Sequence, residues 1–133
     1  MARLIICIVL ALGLIGLATT EQIVIQGTYD RLDDKATALT ARVRQLSDAK
    51  LPIDTEQNIR EANEMYEWWL VRERRLSMLA RHFDLAQVSD AIIYAKNFIE
   101  FDNDEEAMAG LLRLRYLIKT HSFNVGTSIQ NVI

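Results

Sequence analysis

The sequence of 133 residues has few residues that break or cross-link a chain: one proline, one cysteine and five glycines. So little proline and glycine excludes collagen-like, linker-like and broadly disordered chains, and it disfavours a turn-rich β sandwich. The single cysteine, Cys7, excludes an intrachain disulfide. Basic residues are not in excess, because 15 lysines and arginines stand against 18 aspartates and glutamates. This balance argues against a nucleic-acid-binding protein, which normally carries a basic face or a basic excess.

One long apolar run lies near the N-terminus. Residues 4–18 contain no charged side chain, and Arg3 is the only charged residue before Glu21. A helix over residues 2–20 rises about 28 Å, which is close to the roughly 30 Å thickness of the hydrocarbon core of a bilayer. The run therefore predicts a helix that crosses a membrane.

This run divides the chain into a membrane anchor, residues 1–25, and an extracytoplasmic helical domain, residues 26–133. The alternative is a signal peptide cleaved after about residue 18, because residues 16–18 have the small-x-small pattern of a cleavage site. We favour the anchor, since the run is at the upper length limit of a signal peptide. Both alternatives place the N-terminus in the cytoplasm, because Arg3 and the α-amino group favour that side. The expected location is the cell membrane, with a single pass.

Apolar residues behind the anchor repeat at alternating spacings of four and three, the pattern of a narrow helical seam. The seam consists of Ile25, Tyr29, Leu32, Ala36, Leu39, Val43 and Leu46. It predicts a helix over about residues 25–50 that ends ahead of Pro52, with Gly27 and Thr28 as a joint to the anchor. Such a seam serves either a bundle within the chain or a homo-oligomer.

Three further helical segments follow, each behind a capping pattern. The pairs with the spacing of a capping box are Asp54 with Gln57, Asp84 with Gln87, and Asn103 with Glu106. The second helix is predicted to end near His82 and the fourth near residues 121–124. One long helix over residues 55–101 stays open as an alternative, because neither glycine nor proline enforces a break near His82.

Each of these segments has an apolar face, and the second has a broad stripe suited to two neighbours. This stripe consists of Ile59, Ala62, Met65, Tyr66, Trp69, Leu70, Leu76, Leu79, Ala80 and Phe83. The faces of the third and fourth segments consist of Leu85, Val88, Ile92, Ala95 and Ile99, and of Ala107, Leu111, Leu114, Leu117 and Ile118. We expect the tail, residues 125–133, to dock on the bundle. The fold class is therefore all-α: an N-terminal transmembrane helix followed by an antiparallel bundle of three to four helices.

No motif in the sequence predicts catalysis. It contains neither a glycine-rich phosphate loop nor a nucleophile elbow, and the acidic run at residues 100–106 lacks the glycine and glutamate of an EF-hand. His82 and Asp84 are close enough in sequence for a general base or half a metal site. We interpret them instead as residues at predicted helix ends, His82 at the end of one helix and Asp84 as the cap of the next. His121 is interpreted as a cation in the last turn of a helix. We expect no catalytic residue, no metal site and no cofactor.

Two adjacent tryptophans differ in their expected environment, because neighbouring residues point about 100° apart on a helix. Trp69 shares a face with the apolar stripe and is assigned to the core, whereas Trp68 lies at the edge of the stripe. Exposed tryptophans are favoured at protein interfaces. The candidate partner contacts are therefore Trp68, His82 and Asp84.

Four arginines surround the end of the second predicted helix and alternate with glutamates. The arginines are Arg72, Arg74, Arg75 and Arg81, and the glutamates are Glu64, Glu67 and Glu73. This alternation indicates ion pairs along the helix rather than a membrane-binding surface.

The second half of the chain has a recognisable order of motifs. It runs from Trp68 and the adjacent tryptophan to His82 and Asp84, then to the acidic turn at residues 102–106, and closes on Asn-Val-Ile at 131–133. In this order it resembles the bacterial domain-of-unknown-function family 4363. The resemblance implies a small Gram-positive protein with an N-terminal membrane segment and a helical extracytoplasmic part. It implies no established activity and supplies no catalytic residue.

These features together predict a membrane-tethered helical protein–protein interaction module, an accessory subunit of a bacterial envelope assembly without catalysis. The expected partners are the membrane, through residues 2–20, and a protein or a second copy of the chain, with no nucleic acid. The alternative is an extracytoplasmic sensor or small-ligand-binding bundle in which Trp68 and His82 line a pocket.

Overall fold

The structure, a computed structural model, describes residues 1–78 and 81–130, with side chains as far as Ser122. The described residues form four helices and no strand. The helices are α1, Ala2–Asp48; α2, Glu56–Leu76; α3, His82–Glu100; and α4, Asp104–Gln130. The all-α prediction is confirmed, because a long apolar N-terminal helix is followed by helices that pack together.

The four helices form a ring in which each packs on two neighbours. Helix α1 packs on α2 and α4, helix α3 packs on the same two, and among the described residues neither diagonal pair brings two Cα atoms within 8 Å of each other. Neighbours are antiparallel, as an ion pair between Arg42 and Glu61 and a contact between Lys35 and Trp68 show for α1 and α2. We call the end with the α1–α2 and α3–α4 connections the distal end. The apolar half of α1 leaves the bundle at the opposite, proximal end.

Helix α1 is unbroken, so the predicted joint at Gly27 and Thr28 is wrong. Residues 2–20 are exposed on all sides, and within the described residues α1 alone is long and apolar enough to cross a membrane. Burial begins at Ile25 and follows the predicted seam, of which only Leu46 is half-buried. The seam packs on α2 and α4 of the same chain. Of its two alternative uses, the intramolecular bundle is the one present in the structure.

The chain between residues 55 and 101 forms two helices rather than one, and both ends of α2 differ from the prediction. Thr55 rather than Asp54 is the N-cap, since its hydroxyl accepts a hydrogen bond from the Asn58 amide at 3.2 Å. The helix ends at Leu76 because Ser77 closes it: its amide donates to the Glu73 carbonyl and its hydroxyl to the Arg74 carbonyl.

Beyond Leu76, the predicted stripe of α2 is wrong at Phe83, which is exposed on α3. Leu79 and Ala80 lie outside the described residues. Asp84 does not cap α3, because the helix already begins at His82 with no side-chain cap. Asp84 instead lies in the first turn, where a carboxylate interacts favourably with the helix dipole.

Helix α4 begins as predicted but is longer. The Asn103 side chain accepts a hydrogen bond from the Glu106 amide at 3.2 Å, which confirms that cap. The helix continues to Gln130, so the expected end at residues 121–124 is wrong. No proline follows His121 to stop the helix. The expected docking of the tail, residues 125–133, concerns side chains that lie outside the described part of the structure.

Hydrogen bonds tie the two distal connections together. Lys50 and Asp102 each end a helix in the left-handed conformation, both with φ of 54°. The Asp102 carboxylate accepts a hydrogen bond from the Ile53 amide at 2.8 Å, which joins the α3–α4 turn to the α1–α2 connection. The Ser47 hydroxyl donates to Asp104 at 2.6 Å and lowers the pKa of that carboxyl. The acidic run thus has a structural use in the described residues.

The core confirms the assignment of the two tryptophans. Trp69 is fully buried, stacks on Tyr29 with ring centroids 6.2 Å apart, and donates its indole N–H to the Ser89 hydroxyl at 2.8 Å. Trp68 is half-buried. The predicted apolar faces of α3 and α4 are buried throughout. These two helices approach closely at Gly110, where an added Cβ would lie 3.1 Å from the backbone of Ala95.

We predict that Trp69→Ala lowers the free energy of unfolding by roughly 3–5 kcal/mol, as truncation of a large buried aromatic does. The substitution leaves a cavity beside Tyr29 and removes the hydrogen bond to Ser89. Trp68→Ala is the matched control and should cost clearly less, because its ring is partly in solvent. Urea titrations of both variants measure the difference, and equal losses would contradict the assignment of faces.

Candidate functional site

The structure places the three candidate partner contacts on different parts of the bundle. Trp68 lies on the α1–α2 side, between Arg72 with its guanidinium carbon 4.0 Å from the ring centroid and Lys35 with its ammonium 5.5 Å away. His82 is exposed at the start of α3. Asp84 is half-buried and faces α4. The three residues therefore do not converge on one site.

An open depression runs along the outer surface of α2. Its lining consists of Asp54, Glu56, Ile59, Arg60, Asn63, Glu64 and Glu67. Neither Trp68 nor His82 belongs to this lining. The depression is therefore distinct from the pocket that a sensor with those two residues would require.

A group of ionisable side chains meets inside the proximal end of the bundle. Tyr29 comes from the seam of α1, Asp84 from the first turn of α3, and His121 from α4. The rings of Tyr29 and His121 are 6.3 Å apart between centroids, and Nδ1 of His121 lies 3.9 Å from Oδ2 of Asp84. We call these three residues the proximal polar cluster. It brings ionisable side chains from three helices together.

His121 is the unusual member of the proximal polar cluster. Only 6% of the residue is exposed, and neither ring nitrogen has a hydrogen-bond partner among the side chains that the structure describes. The separation of 3.9 Å from Asp84 is too long for a hydrogen bond. Because buried polar atoms are nearly always paired in proteins, this imidazole stands out.

The sequence interpretation of His121 as a last-turn residue is wrong, because α4 continues for two further turns. A signal for its burial was present. His121 follows Leu117 by four residues and Leu114 by seven, so it continues the buried face of the helix.

Burial and a neighbouring charge both raise the pKa of Tyr29. Loss of solvent, and secondly the nearby Asp84 carboxylate, raise the pKa of the Tyr29 phenol to about 12. The phenol therefore stays protonated at neutral pH and is a poor base. Next to it, the Gln26 amide donates to the Ser122 hydroxyl and fastens α1 to α4.

The chemistry that this arrangement offers is limited. No hydroxyl is hydrogen-bonded to His121, so the imidazole does not activate a nucleophile in the described part of the chain. The Ser89 hydroxyl already accepts the Trp69 indole N–H. The described residues contain no group of three or more histidines, cysteines or acids placed to hold a metal ion. What the described contacts of the cluster do is hold α1, α3 and α4 together at the proximal end.

Comparison with known proteins adds no family assignment. No protein-family model, no curated protein and no solved structure matches this chain. The resemblance to family 4363 therefore stays a prediction.

The raised pKa of Tyr29 predicts a loss of stability at alkaline pH. In the unfolded chain a tyrosine ionises near its ordinary pKa of about 10, whereas in the folded protein Tyr29 keeps its proton up to about 12. Between these values the unfolded state binds fewer protons, so the free energy of unfolding falls as the pH rises. The decrease reaches about 2 kcal/mol at pH 12, and below about pH 9 Tyr29 adds almost no slope.

Urea titrations between about pH 9 and about pH 12 measure this dependence. Tyr29→Phe should remove this part of the slope, while Tyr116→Phe, at an exposed tyrosine, should retain it. A slope that is the same in Tyr29→Phe as in the unsubstituted protein would show that another group is responsible.

Proposed function

We propose that this protein is a membrane-tethered helical interaction module of the bacterial envelope, an accessory subunit without catalysis. The observation that carries the proposal is α1, a single helix that is exposed over residues 2–20, apolar over residues 4–18, and forms a wall of the bundle from Ile25 onward. An apolar surface of this size is not stable in water, and its length matches the bilayer core. The unbroken helix holds the bundle directly against the membrane.

The proposed orientation has the N-terminus in the cytoplasm and the bundle outside. Its support is Arg3, the only charged side chain ahead of the apolar run, because positive residues favour the cytoplasmic side. The resemblance to family 4363 implies the same topology. Residues 26–133 would then be the extracytoplasmic domain.

We propose that protein partners bind on the surface around Trp68. Its ring is half-buried between Arg72 and Lys35, so tryptophan and arginine, two residue types enriched at the centre of interfaces, lie side by side. The exposed His82 is the second candidate contact. Asp84 faces His121 and would act indirectly, by positioning the start of α3.

The topology leads to a direct prediction in cells. Protease added to intact protoplasts should digest the bundle, because the bundle lies outside the membrane. Carbonate washing should leave the undigested protein in the membrane fraction, because α1 is embedded in lipid. Release of a soluble fragment that begins at Thr19 would instead establish a cleaved signal peptide and overturn the anchor.

Partner binding leads to a second prediction. Trp68→Ala should lower the recovery of a crosslinked partner from solubilised membranes at least several-fold, as loss of an interface tryptophan does. Tyr116→Ala is the control, because it also removes an exposed aromatic ring but lies on the outer face of α4. Melting curves of both variants check that the bundle stays folded. Equal recovery from both variants would contradict a partner surface at Trp68.

A second candidate function, an extracytoplasmic sensor or small-ligand-binding bundle, is favoured by one observation. The two ring nitrogens of His121 are buried and have no hydrogen-bond partner among the described side chains, and a bound polar ligand would satisfy them. A ligand that raises the melting temperature of the protein, with the increase lost in His121→Leu, would favour the sensor over the interaction module.

A further inference from the structure

The proximal end of the bundle carries an unusual combination of exposed side chains. Met78, in the turn after α2, is 90% exposed, and Phe83, in the first turn of α3, is 71% exposed. Three exposed arginines accompany them: Arg74, Arg75 and Arg81. We call these five residues the proximal surface. It belongs to the same end of the bundle from which the apolar half of α1 emerges.

The height of the proximal surface above the membrane follows from the register of α1 and α2. Arg42 pairs with Glu61, and seven residues further along each helix Lys35 contacts Trp68. The two antiparallel helices therefore keep the same register over this stretch. Continued to the turn after α2, this register places Met78 at the same height as Ile25 of α1. Ile25 is about 8 Å along the helix from Thr20, where the apolar run ends. The polar headgroup layer of a bilayer is itself roughly 5–8 Å thick on each side.

Exposed apolar residues on α1 also lie between the end of the apolar run and the start of the bundle. Ile23 and Val24 are exposed, so apolar surface on α1 extends almost to the point where the bundle begins. Flexible arginine side chains bridge several ångströms to a lipid phosphate while their stems stay against apolar surface. The proximal surface thus lies within reach of the headgroups.

The three arginines are available for such a contact. Two other arginines of the bundle form ion pairs among the described residues, Arg42 with Glu61 and Arg115 with Asp33. The side chains of Arg74, Arg75 and Arg81 make neither an ion pair nor a hydrogen bond with any described residue. The sequence prediction of ion pairs with the neighbouring glutamates is therefore wrong for these three.

Charge is distributed unequally between the two ends of the bundle. Acidic residues concentrate at the distal end, where eight of them stand against four basic residues, Arg44, Lys50, Arg60 and Lys96. The acidic residues there are Asp48, Asp54, Glu56, Glu100, Asp102, Asp104, Glu105 and Glu106. An anionic membrane attracts the proximal arginines, each by about 1 kcal/mol when it lies near the lipid surface. The acidic distal end lies several Debye lengths, each about 10 Å at 0.1 M salt, from the end of the apolar run, so its charge does not oppose this contact.

We propose that the proximal surface is a second membrane-binding site, which docks on the anionic headgroups of the bilayer that holds α1. This proposal rests on the proposed anchoring of α1. The arginines bind lipid phosphates, while Met78 and Phe83 enter the boundary between headgroups and acyl chains. With contacts at both α1 and the α2–α3 turn, the bundle neither rotates about the axis of α1 nor tilts away from the membrane.

The test uses the full chain in a Cys7→Ser background, so that a single new cysteine carries an environment-sensitive fluorophore. Phe83→Cys reports on the proximal surface, and Phe101→Cys is the matched control, since Phe101 is 76% exposed at the distal end. Both proteins are reconstituted into vesicles of phosphatidylcholine alone or mixed with phosphatidylglycerol. Flotation of the vesicles measures anchoring independently of the fluorescence.

With phosphatidylglycerol present, the probe at position 83 should shift to shorter wavelength and be quenched by lipids spin-labelled near the headgroup. The probe at position 101 should behave as in water. Raising the salt from about 0.1 M to about 1 M shortens the Debye length from about 10 Å to about 3 Å and should weaken the shift. A probe at position 83 that behaves like the one at 101, in protein that floats, overturns the second site. Failure to float overturns the anchoring instead.

Charge variants test the arginines themselves. Arg74→Gln, Arg75→Gln and Arg81→Gln combined should remove the dependence of the shift on phosphatidylglycerol. The same number of substitutions at exposed arginines away from the proximal end, Arg44, Arg60 and Arg113, should leave it unchanged. Equal effects of the two triple variants would show that only the overall charge of the protein matters, and would contradict a site at the proximal surface.

Discussion

The structure depends on one constraint: α1 has to suit two different surroundings with one unbroken backbone. Over residues 4–18 its side chains are apolar on all sides, whereas from Ile25 onward they are apolar along a single seam. A helix that is apolar on every face requires an apolar solvent all round, and a helix with one seam requires neighbours on that side only. Helices α2 and α4 cover the seam of α1, and α3 closes the ring.

The two ends of the ring are held in different ways. At the distal end Asp102 joins the two connections through the Ile53 amide, and Ser47 joins α1 to α4 through Asp104. At the proximal end the contacts lie inside, where Tyr29 lies between the Trp69 ring and the His121 ring. The distal hydrogen bonds hold the two connections next to each other. The proximal contacts fix the register of three helices against one another, because one large aromatic residue fits among them in few ways.

Periodicity in the sequence predicts the buried faces well, because burial on a helix repeats every three to four residues whatever the neighbouring helix is. The seam of α1, the core position of Trp69 and the faces of α3 and α4 follow from it. Helix ends are harder to predict, because adjacent residues compete for the same capping role. Thr55 caps the start of α2 in place of Asp54. Ser77 is the C-cap of α2 although the residues around it favour a helix.

The candidate site was predicted less well than the fold, for a reason that lies in tertiary structure. His121 becomes a buried residue only once α4 is known to extend past it and α3 to bring Asp84 opposite. The arginines near the end of α2 have glutamates at helical spacing, yet the spacing alone does not make the pairs form. Their environment depends on which end of the bundle faces the apolar half of α1, and this follows from the way four helices pack rather than from any local pattern.

The continuity of α1 also sets where a partner protein can reach the bundle. Trp68 is level with Lys35, which lies about 22 Å along the helix from the end of the apolar run at Thr20. In the proposed orientation the surface around Trp68 is therefore held at a fixed height above the membrane, facing sideways rather than outward. A flexible linker would let the bundle search a wide volume, whereas a continuous helix presents one face at one height. Such a surface suits a partner that is itself anchored in the same membrane and rises to that height, because two proteins held in one plane meet repeatedly in the same orientation.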